Sequence, residues 1–271
     1  YHHEIIGDLA DVTTITRDDL YGHYRRHYVP NNAIIVAVGD FAAGEMQQHI
    51  EEQFGSLAPG KPADPVTRQE PPQKGERRVM VQGPGDTAYL TAAYRAPAAS
   101  HPDYLPLVLL NAAFAGGSRL GGGGSNKSSR LYKALVNTEL AASAYGSLTP
   151  TIDPYLYSIN AVVQAGRTLA EVEAALDEEL ARLESAPITE QELAKALKRA
   201  KAEFVLAGES ITGQAQLLGM TEAVIGDYQW YETVLERLSQ ITLDDIERLR
   251  GTYLRPSQRT VGWYEPEVVT R

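Results

Sequence analysis

Residues 128–159 read SSRLYKALVNTELAASAYGSLTPTIDPYLYSI, and this stretch decides the fold. Its first part predicts a helix over about Lys127–Val136. Two strands follow, Ala142–Leu148 and Tyr155–Val163, joined by a turn built on Pro150, Asp153 and Pro154. Both strand segments are bounded by turn residues, the usual sign of a hairpin pair.

Working forward, the chain turns helical. The apolar spacing predicts helices over 168–185, 189–206, 209–225, 228–238 and 243–253, then a strand over Thr260–Tyr264. Working backward, Gly116–Ser125 reads GGSRLGGGGS, a flexible loop because glycine loses the most backbone freedom on ordering. An apolar helix over Tyr104–Ala115 precedes it, after two strands, Arg77–Gln82 and Ala88–Arg95. Residues 56–76 hold Pro59, Pro62, Pro65, Pro71 and Pro72 with little apolar content, which predicts an extended, semi-rigid linker. In front of it, Thr16 caps a helix that stops before Pro30. The run Ala33–Val38 (AIIVAV) reads as a buried strand, and a helix over Ala42–Phe54 sets Met46, Ile50 and Phe54 on one face.

One internal similarity bears on organisation. ITRDDL at 15–20 with YVPNNAIIVAV at 28–38 parallels ITLDDI at 241–246 with YLRPSQRTV at 253–261. Each is a capped helix, an aromatic, a proline break and a strand. The second copy has roughly 165 residues of its own domain before it and the first only about 14, so a duplication predicts a front domain short by about 150 residues. Chance similarity between two capped helices is the alternative, since T-x-D-D is a common helix start. The division that follows is 1–55, the end of a truncated domain; 56–76, the linker; and 77–271, a complete domain.

Composition narrows the function. Of 271 residues 43% are hydrophobic and 22% charged, an ordinary globular balance, with a net charge of −10. No basic stripe marks a nucleic-acid binder. With no cysteine, disulfides and thiolate metal sites are excluded. No apolar run reaches the roughly 18 residues that span a bilayer.

Three residue groups invite a metal or phosphate reading. His2-His3-Glu4 is a loop, since adjacent residues do not share a helix face. His23 and His27 lie at i and i+4 on one helix, a metal-compatible spacing, but Arg25 and Arg26 separate them and no carboxylate is placed beside the pair. Gly121, Gly122, Gly123 and Gly124 form no P-loop, because no Lys-Ser/Thr follows in register.

The order of several segments resembles the pitrilysin/insulinase family of zinc peptidases. IIGD, ITRDDLYGHYRRHYVPNNAIIVAVGDF and IEEQFGSLAPG, between residues 5 and 60, resemble the closing third of that family's active domain. The quoted stretch at 128–159, EVEAALDEELARL, ITEQELAKALKRAKAEF and ITLDDIERLRGTYL resemble its inactive domain. The resemblance implies a two-layer α+β fold, with helices on one face of a mostly antiparallel sheet, and a chamber that encloses unfolded peptide. It implies zinc bound by H-x-x-E-H on a helix, with the Glu as general base on zinc-bound water. None of the six histidines begins that motif. The expectation is therefore no metal and no catalytic residue in this chain, with zinc in the parent protein and no peptide hydrolysis by the chain alone.

Many family members grip substrate with an Arg and, seven residues on, a Tyr. Those places fall on Val136 and Ser143, so this sequence departs at both. Tyr145 lies two residues off the gripping place, and Arg130 lies upstream. The expected peptide contacts are Val136, Ala142, Ser143, Ala144 and Tyr145, with Gly121–Gly124 as a loop at the chamber mouth. The resemblance further implies a homo- or heterodimer with a related subunit and a place in the bacterial periplasm or cell envelope. Lacking the grip, the chain resembles the zinc-carrying partner of such a pair. Two other readings remain: a structural or assembly protein on the same fold, and a stand-alone peptide-binding module.

Overall fold

The structure, a computed structural model, describes residues 5–62, 70–117 and 126–267. The domain is built on a five-stranded sheet of order β1-β5-β2-β4-β3. The strands are β1 (Arg77–Gly83), β2 (Tyr89–Ala96), β3 (Ala141–Leu148), β4 (Tyr155–Val163) and β5 (Arg259–Pro266). Only the β1–β5 pair is parallel; the other three are antiparallel. This is the expected α+β architecture.

Burial alternates along the strands. Leu90, Ala92, Tyr94 and Ala96 of β2 are buried, as are Tyr157, Ile159, Ala161 and Val163 of β4 and Ala144 and Leu148 of β3. Period two puts all of these on one face, and the helices cover it. Helix α4 (Tyr104–Phe114) is buried along all 11 residues, between the sheet and the helices behind it. Its sequence is apolar all round, as an enclosed helix requires. Helices α5 (Leu169–Ser185), α6 (Glu190–Ala207), α7 (Ile211–Ile225), α8 (Trp230–Ser239) and α9 (Leu243–Tyr253) complete the covering. Thr168, Thr189 and Thr242 each begin a helix with a reciprocal capping box, to Glu171, Glu192 and Asp245. Gly226 ends α7 in the left-handed conformation.

The front segment carries α1 (Leu9–Thr14), α2 (Arg17–His27) and α3 (Ala43–Phe54). Thr16 caps α2 as expected, with Asp19 returning to its N–H at 2.9 Å. Two expectations fail. The helix at 127–136 is shorter and mostly π-helical, over Tyr132–Val136. More informative, 33–38 is not a strand.

The repeat explains that second failure. α2, a 3-10 turn at Pro30–Asn32 and the run 33–38 match α9, a 3-10 turn at Pro256–Gln258 and β5 piece for piece. β5 lies between β1 and β2 and pairs with both. The run 33–38 has no ladder partner among the described residues, and a strand is defined by its partners. Ile34 and Ile35 are half exposed, and no described residue from 5 to 62 is buried. Val36 rests on α7, where a Cβ on Gly219 would meet its side chain at 3.4 Å.

Candidate peptide-binding edge

β3 is the edge of the sheet, and its geometry follows from β4. The Val163 N–H bonds Ala88 O and the Gln164 N–H bonds Leu140 O, each at 3.0 Å. Alternate β4 residues thus serve alternate neighbours, as an antiparallel ladder requires. A one-residue irregularity at Ala141/Ser143 resets the register, after which Tyr145 pairs with Asn160 and Ser147 with Ser158. Carried along that register, Tyr145 and Ser147 turn their backbone groups toward β4. Ala144, Gly146 and Leu148 turn theirs outward, where no described residue takes them.

Edges are normally guarded by charge or proline. β1, the opposite edge, carries Arg77 and Arg78. β3 reads AASAYGSL and has no charge and no proline. Ala142 is exposed at the irregularity, Ser143 and Tyr145 are half-buried, and Ala144 faces the core. Val136 is half-buried and packs against the core from the π-helical turn. Four of the five expected contacts therefore lie along one edge, and the fifth lies behind it. Gly121–Gly124 fall outside the described residues, as do His2, His3 and Glu4.

Arg130 anchors the turn that leads into this edge. Its guanidinium donates to Glu192 at 2.7 and 2.6 Å, and to the carbonyls of Ala186 and Pro187 at 2.5 and 2.7 Å. The Arg130 hydrogen bonds hold the Glu192 carboxyl down at about 2. The adjoining recess, about 560 Å³, includes Lys133, Leu140, Glu179 and Arg182 in its wall. Burial pushes the Glu179 carboxyl up. Sequence reading placed Arg130 near the site but missed its partner, because Arg130 and Glu192 are 62 residues apart.

The described residues do not fit a zinc site. His23 and His27 stack on α2 with ring centroids 4.4 Å apart, but among the described residues no three His, Cys, Asp or Glu side chains gather to hold a metal ion. No helix among them is long and apolar enough to cross a membrane.

A family model described as the peptidase M16 inactive domain matches residues 14–200. The chain belongs to the M16 peptidase family. The matched M16 span begins in the front segment, runs through the linker and ends in α6. Among M16 relatives, the chain is 27% identical over 254 residues to an uncharacterised zinc protease of Mycobacterium leprae, covering 90% of this chain and 54% of that protein. It is 28% identical over 274 residues to the zinc protease PqqE of Helicobacter pylori, covering 98% and 59%. It is 25% identical over 256 residues to the mitochondrial-processing peptidase subunit beta of Lentinula edodes, covering 92% and 54%. A protease structure from Helicobacter pylori superposes with a TM-score of 0.87 at 25% identity, over 96% of this chain and 62% of that one. The M16 inactive domain from Pseudomonas fluorescens shares the fold, with a TM-score of 0.81 at 21% identity over 100% of this chain and 62% of that one. This M16 chain spans a little over half the length of the curated relatives it matches.

Proposed function

We propose that this chain is the non-hydrolytic, peptide-enclosing portion of a zinc metallopeptidase subunit, and that β3 takes up substrate as an added strand. The unguarded β3 edge carries this reading: an extended peptide would bond the outward groups of Ala144, Gly146 and Leu148. Tyr145, on the opposite face, would pack beside a side chain of that peptide. Zinc and the hydrolytic residues belong to sequence outside this chain, since no H-x-x-E-H occurs within it. A related subunit would complete the chamber. The absence of Arg and Tyr at Val136 and Ser143 supports assigning the substrate grip to that partner.

The test is binding of a fluorescein-labelled, ten-residue Val/Thr-rich peptide, read by anisotropy with and without added zinc. Saturable binding without cleavage is expected. Ala144→Pro should abolish it, because the N–H it removes faces outward and the sheet loses no ladder bond. Zinc-dependent cleavage by the purified chain, or binding unchanged in Ala144→Pro, would overturn the assignment.

A further inference from the structure

The chain leading into β1 is held by a set of ion pairs that peptide binding does not use. Glu76 accepts hydrogen bonds from Arg78 Nε and Arg259 Nε, both at 2.9 Å. Arg78 continues to both carboxylate oxygens of Glu173 on α5, and Glu173 also accepts from Trp263 Nε1 at 2.7 Å. Arg259 reaches Asp177, one turn further along α5. Ahead of these, the Gln73 amide donates to Arg259 O at 2.7 Å, and Arg95 on β2 pairs with Glu70. Glu70, Gln73, Glu76 and Arg78 are thus each fastened to β2, β5 or α5.

Apolar packing does little of this work. β1 pairs with β5 alone, in parallel, the slightly weaker arrangement. Its Val79, Met80 and Val81 are 53%, 58% and 49% exposed. The side chains of Arg259 and Glu173, by contrast, are 9% and 8% exposed. Charges that deep are stable only while paired, so loss of one partner strands the other. The attachment is electrostatic and interdependent, whereas β2 and β4 are held by the buried core.

We infer that residues 70–83 are a latch. The strand and the chain entering it dock and release as one unit, and the arginine–carboxylate pairs set how firmly they dock. Release uncovers the β5 edge.

Hydrogen exchange on the full 271-residue chain tests the latch. Arg78→Gln and Glu76→Gln replace side chains that are partly exposed, so the domain should still fold. Amides of 77–83 should exchange at least about tenfold faster, with 89–96 and 155–163 unchanged. Uniform acceleration across all strands, or unchanged exchange in β1, would each overturn the latch.

Discussion

A methyl group on Gly146 would stand 1.9 Å from Asn111 Oδ1 and 2.9 Å from the Tyr157 hydroxyl. Asn111 cannot yield freely. Its Nδ2 donates to Gly117 O at 3.0 Å, and its backbone carbonyl accepts from the Ala115 and Gly116 N–H groups. Gly146→Ala should therefore cost about 3 kcal/mol, the upper range for forced overpacking. Asn111→Ala removes the obstruction, so the double variant should lose less than the sum of the singles. Urea unfolding of all four proteins checks this; strict additivity would refute the contact.

Tyr104 and Tyr157 are 2% and 1% exposed, and neither hydroxyl has a hydrogen-bond partner among the described residues. Burial pushes both phenols up. Deleting an unpaired buried hydroxyl removes a desolvation cost and no bond. Tyr104→Phe and Tyr157→Phe should leave Tm unchanged or raise it by about 2 °C. A fall of several degrees in a thermal scan would mean that the hydroxyls are satisfied after all.

Much of this fold was legible because local signals agreed with the tertiary outcome. Thr16, Thr168, Thr189 and Thr242 each stand three residues before an acid, and each caps a helix. The two strand segments joined by the turn at Pro150–Pro154 became the hairpin of β3 and β4. What sequence could not reveal depends on partners distant in the chain. The run 33–38 has a strand's composition but no ladder, because strand formation is settled by neighbours and not by the segment itself. The prolines of 56–76 predict an extended, semi-rigid linker, but they do not show that Glu76 at its end meets an arginine 183 residues away. At the candidate edge, residue identities located β3, but only the register of Tyr145 on Asn160 separates outward from inward backbone groups.

The Arg130–Glu192 pair predicts a specific acid response. Glu192 titrates near 2 in the fold, against an ordinary value of 4.5, chiefly because Arg130 bonds its charged form. A depressed carboxylate contributes stability that is present above its unfolded value and fades as pH falls through the folded one. The contribution should be complete above about pH 4.5 and largely gone near pH 2. Glu192→Gln should cost about 2 kcal/mol at pH 7, the range for a hydrogen-bonded charge. It should also flatten the decline of stability between pH 5 and 3, as chemical denaturation across that range would show. An identical slope in the variant would count against the pairing.

Asp103 joins the start of α4 to α9 and gives the last expectation. It accepts from Arg248 Nη2 at 2.5 Å and from the Tyr253 hydroxyl at 2.9 Å. The Arg248 hydrogen bond is the main reason its carboxyl sits below the usual carboxylate range. Arg248 is 50% exposed and Asp103 10%, so water and salt screen the arginine's contribution while the tyrosine bond is better sheltered. Asp103→Ala should then cost about 2 kcal/mol and Tyr253→Phe about 1 kcal/mol, with a double-mutant coupling of about 1 kcal/mol. Raising the salt to about 1 M should shrink the Arg248→Ala effect far more than the Tyr253→Phe effect, because the Debye length there is about 3 Å. Equal salt sensitivity of the two variants would mean that the tyrosine bond is no better sheltered than the arginine's, and that distinction would have to be abandoned.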